Sequence, residues 1–103
     1  MIKETGLSGD ILSALKNIFQ KYTCIEKVAL YGSRAKGAFN ERSDIDLIVY
    51  GQDVDRFVIN QIIMDIDDSN IPYLVDLQSF HELKNHQLID HIKRVGLVVY
   101  ARN

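Results

Sequence analysis

The sequence is poor in several things that would point to a function at once. It has one cysteine, Cys24, one proline, Pro72, and no tryptophan. A single cysteine excludes an internal disulfide and fits a reducing cytoplasm; Cys24 reads as a small buried hydrophobe beside Ile25. No apolar run is long enough to span a bilayer, and Met1-Ile2-Lys3-Glu4 does not open a signal peptide. An excess of positive charge is missing too. With 12 basic against 14 acidic residues the net charge is −2, which argues against general nucleic-acid binding and requires any anion site to be local. Linkers, internal repeats and low-complexity tracts are also absent. What remains is 103 residues, 47% hydrophobic and 25% charged, the profile of one soluble globular domain spanning 1–103.

Hydrophobic spacing predicts alternating helices and strands. Ser8 can cap a helix whose Ile11, Leu12, Leu15, Ile18, Phe19 and Tyr22 recur at helical period. Val28–Tyr31 reads as a short buried strand ended by Gly32, and Ile45–Tyr50 as a second ended by Gly51. Asp53 can cap a helix running to about Asp68, and Asn70-Ile71-Pro72 breaks the chain after it. Tyr73–Gln78 reads as a third strand. Ser79-Phe80-His81-Glu82 has the capping-box pattern and predicts a helix with Leu88, Ile92 and Val95 on one face. Gly96 can end that helix, and Leu97–Tyr100 adds a final strand. The class is α/β, helices layered on a sheet.

Within this pattern the acids of the second and third strands are out of place. Side chains two apart on a strand share a face, so Asp44 and Asp46 project together, away from Ile45, Leu47 and Val49. Aspartate is a poor strand residue and paired carboxylates repel. A divalent cation resolves the conflict, since Mg²⁺ favours one or two carboxylates plus phosphate oxygens; a solvated strand face is the alternative. Asp76 repeats the oddity inside Tyr73–Leu77. Were the two strands neighbours, the three acids would suit a pair of ions clamping an in-line displacement.

Gly32 and Ser33 supply a possible phosphate end. Gly32 allows a sharp turn and close approach of backbone. Ser33 brings a hydroxyl and an N–H and starts a short helix through Lys36, whose N-terminus can attract an anion. Arg34, Lys36 and Arg42 add local positive charge. The pattern is not a P-loop, since no Gly-x-x-x-x-Gly-Lys-Ser/Thr occurs.

Taken together, Gly32-Ser33, ten intervening residues and Asp44-Ile45-Asp46 resemble the Gly-Ser-x10-Asp-x-Asp signature of minimal nucleotidyltransferases, in the DNA polymerase β superfamily. The resemblance covers nearly the whole chain. It implies the nucleotidyltransferase fold, a small mixed sheet with packed helices. It also implies Asp44, Asp46 and Asp76 as ligands of two Mg²⁺ ions, Ser33 with Gly32 at the triphosphate, and Arg34, Lys36 or Arg42 as further nucleotide contacts. The implied reaction moves AMP from ATP to an acceptor hydroxyl. Small relatives of this kind are typically paired with a HEPN-domain toxin, which the transferase silences as an antitoxin by attaching AMP to a tyrosine. Two alternatives stay open: an antitoxin of the same fold that binds without chemistry, and nucleotidylation of a small molecule such as an aminoglycoside. A homodimer or hetero-oligomer is equally open.

The apolar residues of the helix after Asp53 exceed one stripe. Val58, Ile59, Ile62, Ile63 and Ile66 fill one arc and Val54, Phe57 and Met64 another, leaving a patch for a partner or a helix buried on two sides. His81, His86 and His91 recur every five residues, which scatters them around a helix and argues against zinc. The acids Asp65, Asp67 and Asp68 read as a solvated helix end.

Overall fold

A computed structural model describes residues 5–40 and 42–102 of the chain. The elements run α1 (Gly9–Phe19), β1 (Lys27–Tyr31), α2 (Gly32–Lys36), β2 (Ile45–Tyr50), α3 (Arg56–Asp68), β3 (Val75–Ser79), a 3₁₀ turn (Phe80–Glu82), α4 (His86–Val95) and β4 (Leu97–Ala101). The sheet order is β3-β2-β1-β4. β1 pairs antiparallel with β2 and β4, while β2 and β3 run parallel. The sheet is therefore mixed, with β1 and β2 in its centre.

Alternation along the central strands builds two layers of packing. Val28, Leu30, Ile45, Leu47, Val49 and Leu77 enter the larger core, closed by Leu15, Ile18 and Phe19 of α1 and by Ile59, Ile62 and Ile66 of α3. Each fully buried aliphatic side chain contributes about 1.5–3 kcal/mol of transfer free energy. Ala29, Tyr31 and Ile48 point the other way and pack on Ile92 of α4. α4 covers only part of that second face, and the uncovered end carries the acids.

Helix starts show where local pattern and tertiary structure part. Ser8 caps α1 as expected, accepting from the Ile11 amide at 3.3 Å. Asp53 does not cap α3: Asp55 does, accepting from the Val58 amide at 2.9 Å. A turn closed by the Val54 amide on the Gly51 carbonyl occupies residues 51–54, so the helix starts two residues later. Val54 thus lies outside α3 and fully buried, while Ile59 sits at the helical position a hydrophobic staple would use. The Ser79 capping box also fails. Ser79 is still in β3, and its buried hydroxyl donates to the Val54 carbonyl at 2.7 Å. Only one 3₁₀ turn follows, and α4 starts at His86 under an Asn85 cap that accepts from Gln87 and Leu88 amides. β3 is correspondingly displaced, from the expected 73–78 to Val75–Ser79. Cys24 is half-buried, not buried; Ile25 takes the interior position. No helix among the described residues is long and apolar enough to cross a membrane.

Candidate active site

Strand register brings the acids together. Tyr31 of β1 lies opposite Asp46 of β2, and Asp46 lies beside Asp76 of β3. One transverse row therefore reads Tyr31, Asp46, Asp76, all on the face opposite the large core. Asp44 precedes the first residue of β2, so it sits at the mouth of the strand instead of inside it. Asp44 and Asp76 are exposed and Asp46 is half-buried.

The electrostatics mark this row as under-neutralised. Burial, then the charges of Asp76 and Asp44, push the Asp46 carboxyl above its ordinary value. Burial and the charges of Asp76 and Asp46 push the Tyr31 phenol up to about 12, so it stays protonated beneath the acids. Its oxygen accepts from the Gln78 side-chain amide at 3.2 Å. Among the described residues the one ion pair is Lys21 with Asp65, which involves none of the three acids. An uncompensated group of hard carboxylate oxygens fits a hard divalent cation. No three His, Cys, Asp or Glu side chains among the described residues already converge as a closed set of ligands. The acids share a face and a field, not a finished coordination shell.

The Gly-Ser turn is pressed against the same row. Gly32 has φ +75°, and a Cβ placed there would lie 2.3 Å from Oδ2 of Asp46. Only glycine combines that left-handed backbone with such an approach. α2 follows directly but spans five residues, so its macrodipole is weak. Ser33, half-buried at its start, brings a hydroxyl and a first-turn N–H. The Gly32 amide donates to Nε2 of His91 at 3.1 Å.

The three basic residues divide. Lys36 and Arg42 are exposed. Arg34, expected with them as a loop cation, is instead 1% exposed. Its guanidinium donates to the Ser43 carbonyl from Nε and Nη2 at 3.1 and 2.9 Å, and to the Thr5 carbonyl from Nη1 at 2.9 Å. It also stands 5.2 and 4.6 Å from the ring centres of Phe39 and Tyr73. Arg34 is a staple: it fixes the residue immediately before Asp44. A cleft of about 370 Å³ between α3 and the start of β3 contains none of the three acids. Charge, not cavity size, locates this site.

The polymerase beta nucleotidyltransferase family matches residues 13–103, which includes Gly32, Ser33, Asp44, Asp46, Asp76 and His91. The chain belongs to that family. No curated protein matches it in sequence. Solved structures share the fold at low identity. A toxin–antitoxin crystallised with AMP-PNP gives a TM-score of 0.73 at 17% identity, covering 89% of this chain and 74% of that one. The toxin–antitoxin MntA-HepT gives 0.65 at 15%, covering 88% and 70%. A tri-AMPylated Shewanella oneidensis HEPN toxin in complex with its MNT antitoxin gives 0.60 at 16%, covering 88% and 73%. The expected mixed-sheet nucleotidyltransferase fold is thus borne out.

His91 is the residue that sequence reasoning passed over. Its spacing from His81 and His86 speaks only against metal binding, yet Leu88, His91, Ile92 and Val95 stand at i, i+3, i+4 and i+7. A histidine on the inward stripe of α4 was the available signal.

Proposed function

We propose that residues 1–103 act as one minimal Mg²⁺-dependent transferase domain that moves AMP from ATP to a hydroxyl, a tyrosine in the first instance, of a HEPN-domain partner. In this reading the chain is the antitoxin of a cytoplasmic toxin–antitoxin pair. The observation that carries it is the register of Asp46 beside Asp76, with Asp44 at the strand mouth and Gly32 pressed onto Asp46. The similar folds lend support, since one was crystallised with AMP-PNP and another belongs to a complex whose HEPN toxin is AMPylated. Phe57 and Met64, 69% and 60% exposed and two turns apart on α3, offer apolar surface for a partner.

Asp44, Asp46 and Asp76 would hold the two cations. When bound, the cations supply neutralisation of phosphate charge and alignment of the attacking and leaving oxygens. The chain's own groups do the rest. Ser33 holds the distal phosphates through its hydroxyl and N–H, while exposed Lys36, at the end of α2, and Arg42, in the connection to β2, bring positive charge for the nucleotide. Gly32 keeps the turn close to Asp46. The acceptor oxygen forms its bond to the α-phosphorus as the bond to pyrophosphate breaks. Asp76, exposed at the row's outer end, accepts the hydroxyl proton.

Incubating the chain with a HEPN partner, α-labelled ATP and Mg²⁺ tests the reading. Label on the partner, lost with Asp44→Asn, supports transfer. Silencing of the partner without label would show a binding antitoxin instead.

A further inference from the structure

The Gly32 amide lies where β1 turns into α2, and no acceptor within the helix can reach it, because the first helical N–H groups have no intrahelical partner. The acceptor comes from 59 residues further along the chain, from Nε2 of His91. Accepting there requires a neutral ring with its proton on Nδ1. His91 is held on two sides. Its ring meets that of Tyr31 nearly perpendicularly, with centroids 6.2 Å apart. The next residue, Ile92, is 2% exposed and anchors α4 in the second core.

We propose that His91 is a positioning residue of this site: it fixes the Gly32-Ser33 turn against Asp46 and so sets how tightly the nucleotide is held. The inference rests on the nucleotidyltransferase reading of the site. A path of contacts supports it. Ile92 seats α4 on the sheet, His91 grips Gly32 from that helix, and Gly32 lies so close to Asp46 that a single added methyl would collide with Oδ2. The Gly32 amide is thereby withdrawn from phosphate, and Ser33 becomes the first residue of the turn able to offer its N–H to a ligand. A role in packing alone makes the opposite demand. A leucine matches the apolar bulk, whereas a glutamine keeps an acceptor near the Nε2 position and sacrifices the ring.

Two variants of the full chain, H91L and H91Q, separate the possibilities. Amide hydrogen exchange is followed by NMR in the free protein, and AMP-PNP affinity is measured by titration with Mg²⁺ present. In H91L the Gly32 amide should lose about tenfold or more of its protection, with the β1 and β2 amides unchanged as a check on folding. AMP-PNP should bind about tenfold more weakly, the size of one lost hydrogen bond. H91Q should recover most of both. In the transfer assay the H91L loss should fall on KM for ATP more than on kcat. Unchanged Gly32 protection in H91L, or lost protection with undiminished affinity, overturns the inference and leaves the reading of the site standing. H91Q behaving worse than H91L overturns it in favour of packing. Wild-type chain that binds no AMP-PNP overturns the reading of the site itself, and with it the role in nucleotide grip.

Discussion

Replacing Gly32 and Gly37 by alanine, one at a time, isolates what the close approach to Asp46 contributes. Both glycines have left-handed backbones, φ +75° and φ +80°. Alanine in that region costs about 1–2 kcal/mol, offset by about 0.4–1 kcal/mol from the stiffer unfolded chain. Each variant should thus lose about 1 kcal/mol, or about 4–8 °C in Tm for a domain of this size. The surroundings then separate them. A Cβ at Gly37 meets nothing within 4 Å, whereas one at Gly32 meets Oδ2 of Asp46 at 2.3 Å and Cγ at 3.1 Å. Ordinary contact requires the carboxylate to retreat by about 1 Å, and a displacement of that size at reacting groups can cost about 100-fold in rate. Thermal melts with quantitative AMP transfer to the partner should therefore show similar Tm losses. Transfer should fall about 100-fold in Gly32→Ala and stay within a few fold in Gly37→Ala. Equal activity losses, or full activity in Gly32→Ala, would refute the argument that Gly32 is there to make room for Asp46.

Asp46→Asn should abolish transfer yet raise the Tm of the free chain, because it removes a half-buried carboxylate repelled by Asp76 and Asp44. The pH dependence follows the same sign. The folded Asp46 pKa lies above its unfolded value, so its stabilising contribution is present at acidic pH and lost as pH rises through the folded value; a melt series should show that loss in wild type and not in the variant. Arg34→Lys should cost about 2 kcal/mol in denaturant titration, since an ammonium cannot serve both the Ser43 and Thr5 carbonyls while lying on two rings. Asp55→Ala should cost about 1 kcal/mol as the loss of a helix cap, and Asp53→Ala far less; the same titration distinguishes them.

Much of the candidate site was legible because its signal is local. The Gly-Ser turn, its spacing to Asp44 and Asp46, and an acid inside an apolar strand are all readable along the chain, and the sheet merely places Asp76 beside Asp46. What was not legible depends on distant partners. Asp53 and Asp55 are equivalent as caps until the Gly51–Val54 turn selects the second. Ser79 fits a capping box until Val54 takes its hydroxyl. Arg34 looks like a loop cation in sequence, and only folding shows the Thr5 and Ser43 carbonyls that turn it inward. His91 had a readable place on the apolar stripe of α4, but its partner, the Gly32 amide, becomes a partner only once α4 packs beside α2.

Counting divalent ions tests the central claim most directly. Mn²⁺ is titrated into the chain with saturating AMP-PNP, and free Mn²⁺ is read by electron paramagnetic resonance. The acids should take up two ions per chain in wild type, fewer in Asp76→Asn and none beyond the nucleotide's own in Asp46→Asn. Identical Mn²⁺ uptake by wild type and Asp46→Asn would contradict a metal site built on these carboxylates.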